Sequence, residues 1–175
     1  MSTTTRTIPY RRRREDKTNY KKRLKLLLGN KPRLVMRKSL KNFLVQIIEY
    51  NPTGDKVLVS ASTKELKKYS WDFTGGNIPS AYLVGLLVGK KAVVKKCKTA
   101  ILDVGLQSPM KGTRLYAALK GAVDAGMDIP HEADVFPSED RIKGQHIASN
   151  PLQKEAKFKD MTKAFEQCKE KIMKG

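Results

Sequence analysis

The chain has 175 residues, 39% of them apolar, which suffices for one compact domain with extensions and a packed core. Its 36 Lys and Arg against 17 Asp and Glu leave a net charge of +19, which calls for a polyanionic partner, because such cations release the counterions condensed on phosphates. No apolar run is long enough to cross a membrane, Met1 to Arg14 lack a signal peptide's apolar stretch, and the basic segments carry no acylation signal or inserting face, so no membrane role is expected.

The charge is concentrated at one end. Residues 1–38 hold 14 Lys and Arg against two acids, or +12 of the total, while residues 39–147 carry +4 and residues 148–175 carry +3. The basic stretch contains Tyr10, Arg11, Arg12, Arg13 and Arg14, then Lys17, Tyr20 and Arg23. In isolation Arg11 to Arg14 repel one another and stay extended, so an arm without fixed structure is expected in the free protein. Asp16 to Leu28 can be helical, with Gly29 as the stop.

Three strands follow, over Arg33 to Arg37, Phe43 to Tyr50 and Lys56 to Ala61. The turn Asn51-Pro52-Thr53-Gly54-Asp55 makes the second and third a hairpin. Phe43, Val45 and Ile47 give that second strand an apolar face, and Leu44, Gln46 and Ile48 a weakly polar one. A loop over Ser70 to Asn77 leads to Ile78-Pro79, where proline suits a helix's first turn. Ala81 to Lys96 reads as a helix with Leu83, Leu86, Leu87 and Ala92 on one side, and its Gly85 and Gly89 suggest close packing against the sheet. Ala100 to Val104 is a short buried strand. Arg114 to Ala125 is a second helix, with Leu115, Leu119, Ala122 and Val123 as its stripe and Gly126 as its cap. The order is β-β-β-α-β-α, with a right-handed parallel crossover and helices covering the sheet in a layered α/β domain. Asp128 to His146 reads as irregular. A last amphipathic helix carries Phe158, Met161, Phe165, Cys168 and Ile172, a stripe that should dock on apolar surface of this chain or of a neighbour. The domains are set at 1–30 for the basic arm, 31–147 for the α/β core and 148–175 for the helical extension.

Catalytic readings are weaker than their bland alternatives. Gly85-x-x-x-Gly89-Lys90-Lys91 is one residue short of a P-loop and lacks the hydroxyl that would hold Mg²⁺, so these are read as helix-packing glycines. A nuclease of the same strand order needs clustered carboxylates for two metals. Here the first strand offers Arg33 and Arg37, and Asp103 stands alone on the fourth, so it is read as structural. His131 and His146 form no triad by spacing. Cys97 and Cys168 show no C-x-x-C pattern and are read as reduced thiols. The acids Asp128, Glu132, Asp134, Glu139 and Asp140 are solvated loop charge or a docking surface for a basic neighbour. No catalytic residue, cofactor or metal site is expected. The arm is the strongest signal: guanidiniums pair bidentately with phosphate, and tyrosines can stack on bases. Charge alone does not separate RNA from DNA, and a chromatin-type regulator stays open on this ground.

Read in order, several pieces resemble one family. They are Tyr10-Arg-Arg-Arg-Arg-Glu-Asp-Lys-Thr-Asn-Tyr20, Lys31-Pro-Arg-Leu-Val-Met-Arg-Lys-Ser39, Leu58-Val-Ser-Ala-Ser-Thr-Lys-Glu-Leu66 and Gly75-Gly-Asn-Ile-Pro-Ser-Ala-Tyr-Leu83. Leu102-Asp-Val-Gly-Leu106, Lys111-Gly-Thr-Arg114, Ala118-Leu-Lys-Gly-Ala122, Ile129-Pro-His131 and Val135-Phe-Pro-Ser-Glu-Asp-Arg-Ile-Lys-Gly-Gln-His-Ile147 complete the series. Together they resemble the archaeal form of ribosomal protein L-eighteen, related to eukaryotic ribosomal protein L-five, from about Tyr10 to Ile147. The resemblance implies a ribonuclease-H-like α/β core and a cytoplasmic, ribosomal location. It also implies 5S rRNA, the large-subunit rRNA and neighbouring ribosomal proteins as partners in the central protuberance. By the same resemblance the RNA-facing residues are Tyr10, Arg11, Arg12, Arg13, Arg14, Lys17, Tyr20, Arg23, Arg37, Ser39, Lys41, Lys111, Thr113 and Arg114.

Overall fold

The computed structural model describes residues 7–150 and 156–174. Two short helices come first, α1 (Arg11–Arg14) and α2 (Tyr20–Leu27). The strands β1 (Arg33–Lys38), β2 (Phe43–Glu49) and β3 (Lys56–Ser62) form an antiparallel meander. Helix α3 (Ile78–Val94) then carries the chain across to the far edge, where β4 (Ile101–Asp103) pairs with β1 in parallel. The sheet order is β3-β2-β1-β4. After it come α4 (Arg114–Asp124), the small helices α5 (Glu139–Lys143) and α6 (Gln145–Ala148), and α7 (Met161–Lys174). The β-β-β-α-β-α order read from the sequence is the one observed, in a mixed α/β fold.

Alternation in the strands sets the two faces of the sheet. Leu34 and Met36 of β1, Phe43, Val45 and Ile47 of β2, and Val59 and Ala61 of β3 are buried in the core with α3. Arg33, Val35 and Arg37 point to the opposite face, opposite Ile48, Gln46 and Leu44 across the ladder. A register shift at Ile47/Ile48 interrupts the β2–β3 pairing.

Helix α3 departs from the one-sided stripe expected of it. Every residue from Ile78 to Gly89 is buried, and so is Ala92, because the sheet, α4 and α7 all pack around it. A helix apolar all round belongs at the centre of a domain. Its glycines also face a different partner from the sheet expected. A methyl at Gly85 would overlap the Ala118 carbonyl, and one at Gly89 would come within 2.5 Å of the Ala125 Cβ. Gly121 of α4 reciprocates, lying against the Tyr82 carbonyl. The contact is therefore helix to helix, with small residues on both sides letting the backbones approach.

At its N-terminus α3 is capped by Asn77, whose side chain accepts from the Ser80 amide at 2.9 Å, with Pro79 in the first turn. Ser80, fully buried, accepts from the Trp71 indole at 2.8 Å and donates to the Thr74 carbonyl at 2.8 Å. Ser80→Ala would strand both partners, so it is expected to cost about 2 kcal/mol and lower Tm by about 4–8 °C. Thermal unfolding checks this, and an unchanged Tm would refute it.

The stretch expected to be irregular, Asp128 to His146, holds more structure than its sequence suggests. Met127 and Ile129 are buried, and Thr99 and Asp128 form an isolated parallel bridge beside β4. Helices α5 and α6 meet at Gly144, whose φ of 79° is left-handed. The C-terminal stripe docks on this chain. Met161, Phe165, Cys168 and Ile172 are buried, the Phe165 ring sits 5.5 Å from Tyr82, and half-buried Phe158, just before α7, packs 5.8 Å from Phe73.

Candidate nucleic-acid interface

The basic arm lies beside the second face of the sheet, where Arg33, Val35 and Ile48 are buried. The Tyr10 carbonyl accepts from the amides of Arg13 and Arg14, closing α1 into a single turn. The extended conformation expected for this run in isolation is thus replaced by a turn in the folded chain. Nearby groups offset the repulsion: Glu15 lies 3.8 Å from Arg11 and 2.9 Å from Lys17, and Arg12 donates to the Thr18 hydroxyl at 2.9 Å. All four arginines and Lys17 remain exposed. The Tyr10 ring, largely in solvent, packs 5.4 Å from that of Tyr20.

Helix α2 begins at Tyr20, later than the Asp16 expected. Asp16 is left-handed, with φ of 47°, and Asn19 supplies the cap, accepting from the Lys22 amide at 3.0 Å. Lys22 reaches across to the Gly105 carbonyl at 3.1 Å, and Arg23 donates to Asp55 at 2.9 Å.

A second group of the expected residues lies around the end of β1. Arg37 and Lys41 are exposed. Ser39 closes the β1–β2 turn by hydrogen bonding both backbone groups of Asn42. Arg114 is half-buried and committed to the protein: it donates to the carbonyls of Gly76 at 2.7 Å and Ser39 at 3.4 Å. Thr113 donates to the Met110 carbonyl at 2.8 Å. Lys111 pairs with Asp134, which holds its ammonium above the ordinary lysine value through the hydrogen bond first and charge second. Asp134 belongs to the acidic loop, so that loop and the basic surface touch within one chain.

A cavity of about 230 Å³ joins the arm to the sheet. Arg12, Lys17, Lys22 and Arg23 line its arm side, and Arg33, Arg37 and Gln107 its sheet side. Gln107 donates to the Met36 carbonyl at 2.8 Å, which folds the loop after β4 over the end of β1. The arm and Arg37 therefore border one basic cavity, while Ser39, Thr113 and Arg114 act as fasteners beside Lys41 and Lys111. By local pattern Arg33 opens a strand and Asp55 closes a turn, and neither is marked as part of a binding surface. Both are central to this surface, but their partners are tens of residues away in sequence and no local pattern marks them.

Other candidate groups are engaged elsewhere. Asp103 accepts from Arg33 at 2.9 Å and from the Gly105 amide at 2.9 Å. His131 lies 2.6 Å from the Ile129 carbonyl and packs on Phe136, and burial pushes the His146 imidazole down, helped by Arg141. Burial pushes the Cys168 thiol up to about 12, against a smaller opposing effect of Lys171. Among the described residues no group of His, Cys, Asp and Glu is placed to hold a metal, and no helix is long and apolar enough to cross a membrane.

A family model described as "Ribosomal large subunit proteins 60S L5, and 50S L18" matches this chain over residues 6–100 and 94–132. The matched region takes in the arm, the whole sheet, α3 and α4.

Proposed function

The chain belongs to this family of large-subunit ribosomal proteins, and from that premise we propose that it binds 5S rRNA and helps attach it to the large rRNA in the central protuberance of a cytoplasmic ribosome. It is a structural constituent of the large subunit, a ribonucleoprotein component of translation. The observation that supports the finer reading is the arm. Arg11 to Arg14 and Lys17 stand in solvent beside a tyrosine pair, and the family match extends over them. Guanidiniums supply phosphate contacts, and exposed aromatic faces supply stacking for unpaired bases, which RNA offers more readily than duplex DNA. We assign RNA contact to the exposed Tyr10, Arg11 to Arg14, Lys17, Arg37 and Lys41. Arg23, Thr113 and Arg114 support it from beneath, and Lys111 exchanges Asp134 for phosphate. The β-β-β-α-β-α order fits a ribonuclease-H-like core put to binding, with Asp103 occupied by a guanidinium.

Competition binding at fixed physiological salt tests the proposal. The protein is expected to prefer 5S rRNA to random duplex DNA by well over tenfold. Equal affinity would overturn it.

A further inference from the structure

Helix α2 has only eight residues and buries none of them. A helix this short is marginal in water by itself, and the surrounding +12 segment repels itself. Apolar contact is partial, with only Leu26 and Leu27 of its leucines half-buried, so polar contacts must supplement it. Two consecutive residues, Lys22 and Arg23, supply them, and both lead into one network. Arg33, only 4% exposed, donates to Asp103 through Nη1 at 2.9 Å and to Asp55 through Nη2 at 2.6 Å. The other oxygen of Asp55 accepts from Arg23 of α2 at 2.9 Å. The other oxygen of Asp103 accepts from the Gly105 amide, and the Gly105 carbonyl accepts from Lys22 of α2. The arm is thus pinned at Lys22 and Arg23 to the two ends of a chain of charge-assisted hydrogen bonds centred on one buried guanidinium.

We propose that Asp55 is a positioning residue that clasps the arm to the core before RNA arrives, presenting Tyr10 and Arg11 to Arg14 already ordered. The role in RNA binding rests on the proposed function; the clasp itself is a property of the free protein. Preorganisation lowers the ordering cost of binding. Charge alone makes the opposite prediction. Asp55→Asn removes a negative group from a basic surface and, without a positioning role, would tighten RNA binding.

The test uses the full chain with Asp55→Asn and Asp55→Glu. Hydrogen exchange of the hydrogen-bonded amides of residues 22–28 reads the clasp without RNA, and 5S rRNA titration over a range of salt reads its consequence. In Asp55→Asn these amides are expected to exchange about tenfold faster, as loss of a charge-assisted bond implies. The affinity should fall about tenfold with its salt slope unchanged, because the phosphates contacted stay the same. Asp55→Glu should recover part of both. If Asp55→Asn does not fold, Arg23→Gln, read by exchange alone, takes its place and should give the same acceleration. Unchanged exchange would overturn the clasp. Faster exchange with equal or tighter RNA binding would overturn the positioning role. A wild-type chain with no preference for 5S rRNA would defeat the proposed function, while the exchange data would still judge the clasp.

Discussion

Replacing Arg11, Arg12, Arg13 and Arg14 together with alanine is expected to flatten the negative slope of log K against log salt for 5S rRNA by up to about 3, the full value if all four touch phosphate, and to weaken binding up to about a hundredfold near physiological salt. Each phosphate contact contributes about 0.7–0.9 to that slope, and four contacts are at stake. All four guanidiniums are exposed, and among the described residues their side chains make one long pair with Glu15 and one hydrogen bond to Thr18. Exposed pairs of this kind are weak and yield easily to phosphate. The fold should survive the substitution, because α1 buries nothing. Substituting Asp103 changes the slope little, since that carboxylate faces Arg33 and the Gly105 amide rather than solvent. Titrations at several salt concentrations check the result. A quadruple variant with undiminished affinity and slope would make the arm ordinary solvated charge.

Gly85→Ala is expected to destabilise the protein by about 3 kcal/mol and lower its Tm by about 6–12 °C. The sign makes this informative. In an ordinary helix interior Gly→Ala stabilises by about 1 kcal/mol, because glycine loses more backbone entropy on folding. Here the added methyl would overlap the backbone carbonyl of Ala118, which belongs to α4 and cannot swing aside like a side-chain tip. Separating the helices would also disturb Gly121 against Tyr82 and Gly89 against Ala122 and Ala125. Overpacking of a close-packed interior therefore outweighs the propensity gain. Thermal or urea unfolding checks it, and a raised Tm would mean that the two helices are not held at backbone contact.

The elements were legible because each carries its own local signal. Alternation along Phe43, Val45 and Ile47 marks a strand face, Pro79 and Gly126 mark helix ends, and the spacing of Met161, Phe165, Cys168 and Ile172 marks a helical stripe. What surrounds an element is not local. The sequence of α3 shows apolar residues and two glycines, yet not that the sheet and several helices enclose it or that the glycines meet α4. Likewise Asp128 to His146 looks irregular because its helices are too short for a periodic pattern, and Gly144 separates them.

The interface divides in the same way. Composition by itself determined that this protein meets a polyanion, since +12 of its +19 lies within the first 38 residues, and the ordered motifs pointed to its family. Those properties are sums over the chain or runs of neighbours, and no folding is needed to read them. Only the tertiary structure decided which cations face outward and which hold the protein together. Arg12 and Arg23 look alike in sequence, but Arg23 is paired with Asp55, 32 residues away. Arg33 is buried between Asp55 and Asp103, the latter 70 residues away. A charge becomes a ligand or a fastener according to whether the fold brings a carboxylate or carbonyl within reach, and that distance is set by packing across the sheet, not by position along the chain.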